Sequence, residues 1–143
     1  MTENVALVRS LYEAFAQGDI PTVLAAMHPQ IAWHEAENSP YDDGGPAVGP
    51  EEVLNKVFMR LGSEWEGFTP HVEEIIGAGD QVVVLGRYGG VYKATGKELH
   101  AQFAHVYRLE DGKVTRFDQY TDTLQYAEVT QQRDREIRKP APA

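Results

Sequence analysis

The sequence predicts an α+β fold in which three N-terminal helices form a layer and a curved antiparallel sheet wraps on it, in the order ααβαββββ. Three observations carry this. Apolar residues recur with a period near 3.6 in the first third of the chain, alternation by two takes over from residue 68 to residue 122, and Gly-Asp or Asp-Gly pairs punctuate both regions. A single domain over residues 1–130 is expected, followed by a flexible tail over 131–143, where Gln, Arg, Lys and Pro leave little to pack.

Over residues 3–17, Val5, Val8, Leu11, Tyr12 and Phe15 form one helical stripe, and Gly18 follows as a C-terminal cap. Asp19 can cap a second helix, with Pro21 in its first turn and His28-Pro29 at its end. Residues 31–37 alternate as a short strand that puts Ile31, Trp33, Glu35 and Glu37 on one side, so a carboxylate lies beside a tryptophan. Residues 38–50, rich in Pro, Asp and Gly, form a loop carrying the large aromatic Tyr41. A third helix over 51–61 opens with acidic residues, which suits the helix dipole, and offers Val53, Leu54, Val57, Phe58 and Leu61 for burial.

The late strands run over 68–78, 81–93, 98–110 and 113–122 as a meander. If Asp111-Gly112 is a two-residue turn, Glu110 faces Lys113, Leu109 faces Val114, Tyr107 faces Arg116, His105 faces Asp118 and Phe103 faces Tyr120. That register places an imidazole and a carboxylate on one face among Phe103, Tyr107 and Tyr120, either as an acid/base pair or as a cross-strand hydrogen bond of structural use only. A matching turn at Thr95-Gly96 would extend the aromatic face to Tyr88 and leave a gap at Gly86, opposite His105. The candidate catalytic residues are therefore Asp118, His105 and Glu35. The candidate pocket residues are Trp33, Tyr41, Phe58, Tyr88, Phe103, Tyr107 and Tyr120.

Composition narrows the partners. A net charge of −9 argues against general nucleic-acid or anionic-membrane binding, because both draw on positive charge. No apolar run approaches the roughly 20 residues needed to cross a bilayer, and a cytoplasmic location is the expectation. The chain has no Cys, and its five His show neither His-x-His nor His-x₃-His spacing, so neither a disulfide scaffold nor a metal site is expected. Its glycine pairs lack the context of a phosphate loop, and its serines that of a nucleophile elbow, so no cofactor and no covalent catalysis are expected.

Four segments together resemble the nuclear transport factor 2-like superfamily, and within it SnoaL-like polyketide cyclases and ketosteroid-isomerase-like proteins. They are Phe15-Ala-Gln-Gly-Asp19, Ile31-Ala-Trp33 with its Pro-Tyr-Gly loop, Gly79-Asp80-Gln-Val-Val, and the run from His105 to Asp118. The resemblance implies a cone-shaped barrel around a deep pocket, and homodimers through the outer sheet face. In the cyclases it resembles, the last long strand carries an acid/base aspartate and the strand before it a histidine, the places of Asp118 and His105. In the isomerases the base is a carboxylate on the first strand, the place of Glu35; His105 falls where they keep a protonated aspartate, and Leu11 where helix one carries a tyrosine. The expected function is a cofactor-independent acid/base enzyme of cyclase, isomerase or lyase type acting on a small hydrophobic carbonyl compound. The alternative is a non-catalytic ligand-binding or dimerisation module of the same fold.

Overall fold

The computed structural model describes residues 2–131. Apart from Gln131, the tail expected over 131–143 lies outside the described residues. Among the described residues there are four helices and seven strands: α1 (Thr2–Ala16), α2 (Ile20–Ala25), β1 (Met27–His34), β2 (Ala47–Val48), α3 (residues 50–64), β3 (Trp65–Ala78), β4 (Gln81–Tyr92), β5 (Glu98–Leu99), β6 (Gln102–Glu110), β7 (Lys113–Thr121) and α4 (Thr123–Thr130). The sheet order is β2-β1-β7-β6-β4-β3, with β5 paired to β4. This is the α+β plan expected, with the late strands as a meander, but the sheet is mixed and not antiparallel throughout. The parallel pairing of β1 with β7, Trp33 opposite Phe117 and His34 opposite Asp118, carries the early strand across to the last one.

The helices form where the stripes placed them. Val8, Leu11 and Ala14 of α1 are buried, and Asp19 caps α2 by accepting from the Thr22 backbone N–H at 3.3 Å. Residues 54–58 of α3 form a π-helical stretch, and with its wider turn Val53, Val57, Phe58 and Leu61 all stay on the buried side. Strand β1 starts at Met27, earlier than expected, and the 38–50 loop contains the short strand β2.

The β6–β7 hairpin corrects the expected register. Asp111 and Gly112 both have positive φ, 49° and 75°, as a two-residue turn requires, and Glu110 faces Lys113 and Leu109 faces Val114 as expected. Beyond that pair the ladder shifts: Arg108 faces Arg116, leaving Thr115 as an extra residue, a β-bulge. Tyr107 then faces Phe117 and His105 faces Gln119, while Asp118 faces Val106 and Tyr120 faces Ala104. One inserted residue turns every later side chain on β7 to the other face. Phe117 and Gln119 point inward, and Asp118 and Tyr120 point out.

The β4–β6 register differs from the expected one by two residues, which preserves the face. Gly86 lies opposite Phe103, and Val84 opposite His105. The gap anticipated at Gly86 is filled: a Cβ there would collide with the His71 carbonyl oxygen of β3 and come within 2.7 Å of Phe103 Cζ.

The expected 98–110 strand is broken at His100 and Ala101, and α4, absent from the expected order, fills the break. Asp122 caps α4 by accepting from the Gln125 N–H at 3.2 Å, and Gln125 Oε1 accepts the backbone N–H of His100, freed where the ladder stops. Tyr126 and Val129 go into the core, where Tyr126 meets Trp65 and Tyr88 edge-on. The capping pattern, Asp122 with Gln125 three residues later, is the sequence signal for this helix.

Candidate active site

Between α1, α2, α3 and the inner face of the sheet lies a cavity of about 720 Å³, counted out to its mouth. Of the expected pocket residues, Trp33, Tyr41, Phe58, Tyr88 and Tyr107 line it. Phe103 stands behind the wall, buried and stacked on the His105 ring with centroids 4.0 Å apart. Tyr120, 59% exposed, is on the outer face and has no part in the cavity. The lining also includes Tyr12, Phe68, Phe117, Gln119 and Tyr126, which the sequence did not single out as site residues.

The three candidate catalytic residues separate. His105 is buried in the wall and Glu35 lines the cavity. Asp118 instead lies on the outer face in a two-point ion pair with Arg116, Nε to Oδ2 at 2.8 Å and Nη2 to Oδ1 at 3.1 Å. The bulge at Thr115 is the reason, and the expected His105–Asp118 pair does not form.

In its place His105 joins three tyrosines. Its Nδ1 lies 2.6 Å from Tyr12 Oη, and its Nε2 lies 2.5 Å from Tyr88 Oη. Tyr107 donates to Tyr12 Oη at 2.7 Å, and Gln119 Nε2 donates to Tyr88 Oη at 2.8 Å. The Gln119 amide is itself oriented by the backbone N–H of Ala36, which donates to its Oε1 at 3.0 Å. Helix α1 thus brings a hydroxyl to the site from Tyr12, one residue past Leu11.

Burial sets the protonation of this chain. It pushes the His105 pKa down to about 3, so the imidazole is neutral, and it holds the phenols of Tyr12, Tyr88 and Tyr107 well above their ordinary value. The charge on Glu35 is a further cause of the rise at Tyr88, so the Tyr88 end of the chain is electrostatically coupled to the carboxylate.

Glu35 is the exception among the acids. Burial is the largest effect and raises its pKa from 4.5 to about 7; the Trp33 indole, donating from Nε1 to Oε2 at 2.8 Å, and Arg60 oppose the rise, while Asp42 and Asp43 add to it. A carboxyl with such a value can hold or release a proton near neutral pH, as a general acid or base must. Trp33 is fixed in turn by stacking on Phe117, with centroids 3.7 Å apart.

The 38–50 loop is strapped to α3 and β3. Tyr41 is buried, donates to Glu64 Oε1 at 2.7 Å and accepts from Trp65 Nε1 at 2.7 Å. Arg60 lies 4.6 Å over the Tyr41 ring and binds Asp43 and the Pro40 carbonyl. Among the described residues no group of three His, Cys, Asp or Glu is placed to hold a metal ion, and no helix is long and apolar enough to cross a membrane.

Comparison with known proteins agrees with this architecture. The SnoaL-like domain family matches residues 8–117. An NTF2-like protein from Burkholderia thailandensis is 37% identical, with a TM-score of 0.84 over 89% of this chain and 96% of that one. An NTF2-like protein of unknown function from Burkholderia pseudomallei is 31% identical, with a TM-score of 0.82 over 91% and 98%. The protein TerC, co-crystallized with polyporic acid, is 27% identical, with a TM-score of 0.79 over 90% and 98%. No curated protein matches the sequence. The chain belongs to the SnoaL-like family, whose nuclear transport factor 2-like fold includes polyketide cyclases and isomerases.

Proposed function

We propose that the protein is a cofactor-independent acid/base enzyme of cyclase, isomerase or lyase type, acting on a small hydrophobic molecule that carries a carbonyl group. The observation that carries this reading is Glu35, a carboxyl facing an aromatic cavity with its pKa raised to about 7. Glu35 is the proton-transfer group: ionised, it removes a proton from carbon next to the carbonyl, and the tyrosine chain supplies a hydrogen bond to the oxygen on which charge develops. Asp118, outside the cavity, has no part in this chemistry. The complex of TerC with polyporic acid supports the reading, because a relative of the same fold takes a small organic molecule.

The test uses a plain hydrophobic ketone, 2-acetonaphthone, in D₂O, with exchange of its methyl protons followed by NMR. The protein accelerates exchange over buffer, and Glu35→Gln removes at least about 10²-fold of that acceleration, the usual worth of a positioned general base. Exchange at the buffer rate across a series of such ketones would leave the cavity as a binding site without acid/base activity.

A further inference from the structure

The hydrogen bonds of the chain Tyr107–Tyr12–His105–Tyr88 can be counted. Three links join these four side chains. Each phenol brings one hydrogen and the neutral imidazole brings one, so four hydrogens serve three links and one is left over. With Tyr107 donating to Tyr12, only two arrangements exist. If His105 carries its hydrogen on Nδ1, that nitrogen donates to Tyr12, Tyr88 donates to Nε2, and the Tyr12 hydroxyl hydrogen is left over. If the hydrogen is on Nε2, it donates to Tyr88, Tyr12 donates to Nδ1, and the Tyr88 hydroxyl hydrogen is left over. Both phenols line the cavity.

From this we infer that the cavity selects a neutral oxygen acceptor, a ketone, aldehyde or quinone carbonyl, and that His105 is a positioning residue whose tautomer decides whether Tyr12 or Tyr88 supplies the hydrogen bond. The inference rests on the proposed function for its ligand class and adds the rule of selection. No Lys or Arg lines the cavity and Glu35 does, so a carboxylate would enter without a countercharge, beside a like one. An ammonium compound could pair with Glu35 but offers no acceptor, and the surplus phenol hydrogen would stay buried and unpaired. A carbonyl accepts that hydrogen and brings no charge. The imidazole cannot simply ionise to suit another ligand, because burial between Phe103 and Phe117 disfavours its charged form.

The binding test compares four probes of one shape at pH 8 by quenching of tryptophan fluorescence: 2-acetonaphthone, 2-isopropenylnaphthalene, 2-naphthoate and a (2-naphthyl)methylammonium salt. The ketone is expected to bind about tenfold more tightly than the hydrocarbon, a typical worth for one such hydrogen bond, and more tightly than either ion. Equal binding of ketone and hydrocarbon, or tighter binding of either ion, overturns the inference. Binding is read without turnover, so this outcome stands apart from the exchange experiment, which can fail while ketone selection holds.

The positioning role is read by NMR of ¹⁵N-histidine-labelled protein, with His105 assigned by its absence from His105→Phe. The ring is expected to stay neutral from pH 5 to 8. Tyr88→Phe should leave the hydrogen on Nδ1, donated to Tyr12, and Tyr12→Phe should leave it on Nε2, donated to Tyr88. Each single variant keeps the preference for ketone over hydrocarbon, and the double variant loses it. The same tautomer in both variants, or an imidazolium at neutral pH, overturns the assignment; loss of packing alone would not produce opposite tautomers.

Discussion

The indole N–H of Trp33 donates to the carboxylate of Glu35 at 2.8 Å, two residues further along the chain on the same side. The bond favours the charged carboxylate, yet burial outweighs it, so the residue titrates close to neutrality instead of far below it. Two consequences follow for rate and for stability.

For the rate, general-base action needs the ionised carboxylate. The pH profile of kcat/KM, or of ketone exchange, is expected to rise about tenfold per pH unit below about 7 and level off above it. Trp33→Phe removes the indole hydrogen bond that favours the charge, so the midpoint is expected to move upward. A profile flat between pH 5 and 8 would remove Glu35 from the mechanism.

For stability, Glu35 and His105 act with opposite signs. The folded protein holds the Glu35 proton up to about 7 while the unfolded chain loses it near 4.5, so this group lowers stability as pH rises through that window, by roughly 3 kcal/mol in all. The unfolded chain binds a proton at His105 near 6.5 and the folded one only near 3, so this group lowers stability as pH falls through that window. Urea denaturation of Glu35→Gln, taken as the difference from wild type, should show a stability gain that grows from pH 4.5 to 7. His105→Phe should show a relative gain that grows as pH falls from 6.5. Difference curves that slope the same way with pH would contradict the burial of one of the two groups.

Asp118→Asn tests the outward position of that carboxylate. The Asp118 side chain is 17% and its partner Arg116 47% exposed, and a pair open to solvent on the guanidinium side contributes little. The expected loss is below about 1 kcal/mol in urea denaturation, with ketone exchange unchanged within about twofold. A loss of exchange as large as that of Glu35→Gln would place Asp118 inside the cavity.

Gly86→Ala tests the close approach of β3 and β4. The new methyl would meet the His71 carbonyl, which is backbone, and the Phe103 ring that supports His105. The strands must part to admit it. The expected cost is about 1–3 kcal/mol, measured by thermal or urea denaturation, together with weaker binding of the ketone probe as the His105 ring loses its support.

Much of this molecule was legible in local pattern. The stripe of α1, the Asp19 cap, the Asp111-Gly112 turn and the alternation of β4 and β6 depend on neighbours a few residues apart, and each appears in the structure where that pattern placed it. Glu35 beside Trp33, and His105 among aromatics, were likewise legible, because a shift of two residues in the β4–β6 register leaves a face unchanged. Helix α4 was missed, although Asp122 and Gln125 spelled out its cap, because only Tyr126 and Val129 of its eight residues are buried and the stripe is too thin to see.

By itself, then, the sequence determined the main elements and their order, short of α4, β2 and the break between β5 and β6, together with the family and the two inward groups Glu35 and His105. Tertiary structure alone decided the partner of His105. The bulge at Thr115 has no signature in the residues around it: it lies where β7 pairs with β6 on one side and with parallel β1 on the other, and it shifts the β6–β7 ladder by one residue. That single residue turns Asp118 and Tyr120 to the outer face, brings Gln119 to Tyr88, and leaves His105 to the hydroxyls of Tyr12 and Tyr88, whose separation along the chain from it, 93 and 17 residues, only folding could close.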